Sequence, residues 1–174
     1  MPDCIEDMEI LNFTFRVACV EDAMEISDIE QACFPPHEAC SECQMIERVK
    51  RAPEQFLLAV DEKTGRIAGT LNGLATDEEV FRDAFFDDAS LHNPDGSHVI
   101  LLGLSVLPEY RGKGLARELV ERYAKMEREK GRSALVLTCL DEKVAMYERM
   151  RFVDKGLSNS TWGGEVWHEM IYIL

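Results

Sequence analysis

The residues best suited to chemistry lie in one short run, Pro108-Glu109-Tyr110-Arg111-Gly112-Lys113-Gly114-Leu115-Ala116. Glycines at 112 and 114 let successive backbone N–H groups converge, and a helix opening there adds the positive end of its dipole. Arg111, Lys113 and Arg117 place cationic side chains beside them. The product is a cradle for a phosphate or pyrophosphate. Two commoner phosphate patterns are excluded. A Walker loop needs Ser or Thr after Gly-Lys, where Gly114 stands, and a dinucleotide fingerprint needs Gly where Arg117 stands. From the glycines alone, a plain turn capping a helix accounts for the run equally well.

A second set, Cys33, His37, Cys40 and Cys43, offers four zinc ligands at short loop spacing. Structural zinc sites use separated pairs of ligands more often, and Pro35-Pro36 hinders so compact a wrap. Small buried cysteines explain the same residues, so no metal is expected.

The elements that must hold the glycine loop follow from periodicity. A strand is expected over residues 12–19, then a helix from Asp22 to Phe34 with Met24, Ile26, Ile29 and Ala32 on its inner face, stopped by Pro35-Pro36. Ser41 opens a second helix carrying Met45, Ile46 and Val49. Residues 55–60 and 66–75 read as a hairpin. Residues 77–95 hold seven acids against the single base Arg82, and read as a surface insertion, partly helical through Val80, Phe81, Ala84 and Phe85, solvated in preference to gating substrate. His98 to Leu107 is a dense apolar strand, expected to be buried on both faces, and Gly103 within it marks a bulge or a close approach to the backbone. A long helix over 114–130, a strand over 134–139, a short helix over 141–150 and strands at 152–153 and 166–173 complete the chain. The fold class is α/β, a mixed sheet in the order β-α-α-β-β-β-α-β-α-β-β, and residues 1–174 read as a single domain.

Arg111-x-x-Gly114-x-Ala116, following an apolar strand and opening an amphipathic helix, resembles the Arg/Gln-x-x-Gly-x-Gly/Ala loop of the GNAT superfamily of acyl-CoA N-acyltransferases. Further residues are similar to the serotonin (arylalkylamine) N-acetyltransferase branch: Val136-Leu137-Thr138-Cys139, Tyr147-Glu148-Arg149, Phe152, Gly156, Thr161, Gly163, Trp167 and Glu169. The likeness covers roughly residues 96–170 and is weaker in the N-terminal half. It implies that acetyl-CoA is the co-substrate, its pyrophosphate on the loop 111–117 (Arg111, Gly112, Lys113, Gly114, Leu115, Ala116, Arg117) and its pantetheine arm along Leu104, Ser105 and Val106. It also implies that Tyr147 protonates the departing sulfur, and that Phe34, Pro35 and Trp167 wall the amine pocket. Two plainer readings stand beside these: Tyr147 as a helix tyrosine with its ring in the core, and Trp167 as a core strand residue.

Acetyl transfer to an amine needs a neutral nitrogen, although alkylammonium groups titrate near ~10, as lysine does. It also needs a donor for the developing oxyanion and a proton for a thiolate whose thiol titrates near ~8.5. The resembling enzymes place two histidines on the strand before the loop, at positions held here by Ile100 and Leu102, which carry no proton. His98, on the same strand face, is the candidate base acting through water, although a strand rises about 3.3 Å per residue and sets it back from those positions. His168 adjoins Trp167, but alternation turns the two to opposite faces.

Composition narrows the function classes. The 174 residues carry a net charge of −14, which excludes a general nucleic-acid binder and disfavours an anionic membrane surface. Residues 109–132 run against this, with eight bases and five acids, as a polyanionic coenzyme requires. The start lacks the basic and apolar regions of a secretory signal, and no apolar stretch approaches the ~20 residues that span a bilayer, so a cytoplasmic protein with its six cysteines reduced is expected. The expected activity is direct acetyl transfer from acetyl-CoA to a primary amine, arylalkylamine or polyamine-like, by a monomer or homodimer. Protein N-terminal or lysine acetylation, and acyl-CoA binding with weak catalysis, are the alternatives.

Overall fold

A computed structural model of the chain describes residue 10 and residues 12–174; Cys4 and the chain start lie outside them. Seven strands form one sheet: β1 (Phe13–Val17), β2 (Phe56–Asp61), β3 (Ile67–Thr76), β4 (His98–Val106), β5 (Ala134–Cys139), β6 (Val153–Leu157) and β7 (His168–Ile173). Their order across the sheet is β1-β2-β3-β4-β5-β7-β6. β4 and β5 run parallel, and the other neighbours run antiparallel. Among the described residues five α-helices accompany them: α1 (Ala23–Cys33), α2 (Glu42–Arg51), α3 (Ala84–Asp87), α4 (Leu115–Glu129) and α5 (Val144–Arg149). This is the expected α/β order, with the single-turn α3 inside the segment expected to be partly helical. No helix among the described residues is long and apolar enough to cross a membrane.

Local chemistry explains the elements. Ser41 caps α2 reciprocally with Gln44, each side chain accepting from the other's amide at 2.9–3.2 Å. A parallel β4–β5 pair needs a long crossover, which α4 supplies, packing Leu115, Leu119 and Tyr123 into the core. α1 departs from its expected face. Ile26 and Ile29 are buried as expected, but Met24 is half exposed and Ala32 exposed, whereas Ala23, Ser27 and Glu30 join the inner stripe. The helix is rotated so that a carboxylate lies on its buried stripe.

Two expectations need correcting. Residues 77–95 are not a free excursion: Phe81 and Phe85 are buried against Leu74, Ile100 and Val136. Arg48 donates to the Phe86 carbonyl at 2.9 Å and Gln44 to Asp87 at 2.9 Å, which ties the segment to α2. Nor is β4 buried on both faces. Its residues alternate, with Leu102, Leu104 and Val106 half-buried along an opening. That opening arises because β4 and β5 pair at Val99–Leu135 and Ile100–Val136 and part beyond. On the other side of β4, Asn72 pairs with Gly103 but Gly73 with Leu101, so Leu102 is an extra, bulged residue.

Candidate active site

The gap between β4 and β5 continues into an open cleft, reaching from Trp167 and Thr138 to the loop before α4. Gly112 and Gly114 both take φ of +77°, the left-handed region that lets the chain reverse twice in three residues. The first bond α4 closes runs from the Glu118 amide to the Gly114 carbonyl, so the amides before it are not consumed by the helix. A side-chain carbon on Gly112 would meet nothing within 4 Å, so the loop faces open space. Arg111 and Ala116 line the cleft, and Arg111 donates to the Val106 carbonyl at 2.8 Å. Leu104, Ser105 and Val106 form its β4 wall. Ser105 Oγ is the one buried side-chain polar atom without a partner among the described residues. Free amides and a parted strand edge fit a long polar anion such as acetyl-CoA.

Beyond Leu104 the cleft meets a narrow, partly open chamber. Phe34, Glu38, Leu104, Thr138, Tyr147 and Trp167 belong to both spaces. Tyr147 thus stands where they join, its ring edge-on to Phe152 at 5.5 Å. Burial drives its phenol well above the usual range, so it keeps its proton. Cys139 beside it is likewise held as a neutral thiol, its titration pushed up to about 12 by burial. Such a thiol is a poor nucleophile.

Aromatic rings form the chamber walls. Trp167 donates to the Trp162 carbonyl at 2.9 Å, and Trp162 to the Glu38 carbonyl at 3.0 Å. Trp162 also stacks on Phe86 of the 77–95 segment. Glu30 and Glu38 are the chamber's two carboxylates. Burial raises the titration of both; Arg48 opposes the rise at Glu30, and His37 opposes it at Glu38. Arg48, itself buried, spends its donors on Asn72 Oδ1 at 3.2 Å and the Phe86 carbonyl.

Residues 23–152 match the model of the Acetyltransferase (GNAT) family. The chain belongs to that family. Solved GNAT structures share its fold at low identity. The loading GNATL domain of CurA from Lyngbya majuscula is 15% identical with a TM-score of 0.79, over 92% of this chain and 97% of that one. The ribosomal-protein-S18-alanine N-acetyltransferase from Escherichia coli is 18% identical, TM-score 0.67, over 92% and 93%. The GNAT N-acetyltransferase YhbS from Escherichia coli, in complex with CoA, is 22% identical, TM-score 0.63, over 93% and 81%. No curated protein matches the sequence.

Of the residues expected from the GNAT resemblance, the structure brings Leu104, Ser105, Val106, Arg111, Ala116, Tyr147, Phe34, Pro35 and Trp167 to the cleft. Gly112, Lys113 and Gly114 shape the loop at its end. Leu115 packs its side chain in the core, and Arg117 turns to Glu121 at 3.3 Å, so only their backbones face the loop. His98 stands apart. It opens β4 beside Ser97, 3.3 Å away, and lines neither space, so proton relay from there has no geometric support. His168 sits between Asp141 and Asp154, each at 3.1 Å. Cys33, Cys40 and Cys43 do not gather with His37; among the described residues, the group close enough to share an ion is His37, Glu38 and Glu165. Glu30 and Trp162 were missed or left open by sequence reasoning, and Glu30 carried a signal in its i+7 spacing from Ala23.

Proposed function

We propose that this chain transfers an acetyl group from acetyl-CoA directly to the primary amine of a small molecule, arylalkylamine or polyamine-like. The observation that carries the reading is the position of Tyr147, shared by a cleft suited to the coenzyme and an aromatic chamber suited to the amine. The coenzyme pyrophosphate would rest on the amides of residues 112–116, and its arm along Leu104–Val106. A backbone amide at the Leu102 bulge would donate to the thioester oxygen as charge develops there. A protonated Tyr147 supplies the departing sulfur. The neutral Cys139 thiol favours one-step transfer over an acetyl-cysteine intermediate.

Acidic and aromatic walls suit a cationic amine bearing a flat or aliphatic tail. The likeness of residues 96–170 to the arylalkylamine branch supports the same class. Free-thiol release from acetyl-CoA, measured against arylalkylamines, polyamines and peptides, tests it. Turnover confined to peptides would move the assignment to protein acetylation. Tight coenzyme binding with no turnover of any amine would leave an acyl-CoA-binding protein.

A further inference from the structure

We propose that His37, Glu38 and Glu165 form a binding site for a zinc ion, which fastens the α1–α2 connection to the β6–β7 connection beside the acceptor chamber. The site goes beyond the acetyl-transfer reading and stands without it. Nε2 of His37 lies 3.5 Å from Glu38 Oε1 and 3.4 Å from Glu165 Oε1. Ligands held at about 2.0–2.1 Å by a tetrahedral zinc ion stand roughly 3.3–3.4 Å apart. Two edges of the ligand triangle therefore already have the length that zinc imposes. All three residues offer ligand atoms within 4.8 Å of one another, so the remaining edge closes by a small swing of one glutamate.

The ligands are brought together by contacts that do not involve them. Trp162 Nε1 donates to the Glu38 carbonyl at 3.0 Å, which joins the two connections. Gly163, with φ of +63°, then packs directly on His37. A side-chain carbon there would stand 2.8 Å from the His37 carbonyl oxygen and 3.0 Å from its Cδ2. Only glycine permits so close an approach in that backbone conformation, and it brings Glu165 to the imidazole two residues later.

The chemistry of the set selects the ion. Two carboxylates converge on one imidazole, and among the described residues neither is ion-paired with a lysine or arginine. A divalent cation supplies the missing positive charge. One imidazole nitrogen with two carboxylate oxygens suits zinc, whereas magnesium and calcium take sets made of oxygen. Three protein ligands leave the fourth tetrahedral position to water. The Glu38 side chain is only 10% exposed, while those of His37 and Glu165 are 49% and 43% exposed. The site thus has one buried wall and an open path from solvent.

Its position gives the ion a role. Glu38 lines the chamber with Phe34 on one side, and Trp162 and Trp167 line the other. An ion held by Glu38 and Glu165 ties these walls together.

The test titrates chelator-treated protein with zinc in a calorimeter and compares wild type with His37→Ala and Glu165→Gln. Wild type should bind one zinc ion per chain, undisplaced by excess magnesium. Losing a group that merely orients a zinc ligand costs about 10- to 100-fold in affinity, so each variant should lose at least about tenfold. Glu165→Gln changes little but charge, and carries the comparison if His37→Ala misfolds. Cobalt in place of zinc should give the weak visible bands of nitrogen and oxygen ligands, without the intense near-ultraviolet bands of thiolates. Zinc should also slow amide exchange in residues 37–39 and in residues 162–165. No zinc binding by wild type, equal binding by wild type and both variants, or thiolate bands would overturn the site. Slower exchange in only one of the two segments would overturn the bridge between them.

Discussion

The indole of Trp162 lies stacked on the Phe86 ring, centroids 4.8 Å apart and planes 26° from parallel. The contact joins the β6–β7 connection to the 77–95 segment across the acceptor chamber. Ser160 and Thr161 reinforce it, donating to Asp83 at 2.5 and 3.1 Å. A stacked pair of this kind contributes about 0.5–1.5 kcal/mol beyond the area it buries. Phe86→Ala should therefore widen the chamber and shift preference towards bulkier amines. Measured as a ratio of kcat/KM between a large and a small amine, the change should be about tenfold in favour of the large one. An unchanged ratio would place the selectivity elsewhere.

Tyr147→Phe keeps the ring against Phe152 and removes only the hydroxyl. Its kcat should fall about a hundredfold or more while acetyl-CoA affinity holds. The phenol titrates well above its ordinary range, so the wild-type rate should not decline through pH 10 for loss of this proton. A decline at the ordinary tyrosine value would show that the phenol is not the group in use.

Gly112→Ala isolates the backbone of the cradle. The position has φ of +77° and free space around it, so the penalty is conformational and not a clash. A left-handed alanine costs about 1–2 kcal/mol, or roughly five- to thirtyfold if it falls on coenzyme affinity. Calorimetric titration with coenzyme A reads this directly, and kcat at saturating coenzyme should be retained.

Glu30 has a thermodynamic signature. Its carboxyl titrates higher in the folded chain than in the unfolded one, so the native state holds the proton more tightly. Its contribution to stability is full below the ordinary carboxyl range and is lost as pH rises through the native value. Glu30→Gln should accordingly gain thermal stability relative to wild type at pH 8 and little at pH 4. A constant difference across that range would mean that the carboxyl titrates normally.

The parts of this site legible in the sequence are those set by short-range chemistry. Gly112 and Gly114 announce a loop that only glycine tolerates twice, and the apolar run before them announces a strand. Tyr147 and Trp167 were found through resemblance, since nothing in their own spacing separates pocket from core. Glu30 was hidden because a single carboxylate on a helix reads as a solvated charge until the helix's rotation is known. That rotation is set by packing on α2, β3 and β4, and the small residues Ala23 and Ser27 that allow it are a weak signal in the helix's own sequence. The 77–95 segment misled for a related reason. Its seven acids dominate the composition, but Phe81, Phe85 and Phe86 decide where it lies.

The parting of β4 from β5 has a mechanical consequence. β1 to β4 form one leaf and β5 to β7 another, stitched at Val99–Leu135 and Ile100–Val136 and open at the other end. A ligand lying along Leu104–Val106 would act as a missing strand between the leaves. Its binding energy would then add to folding stability, rising with ligand concentration over Kd. Backbone amide exchange along the open edges should slow when the coenzyme is present.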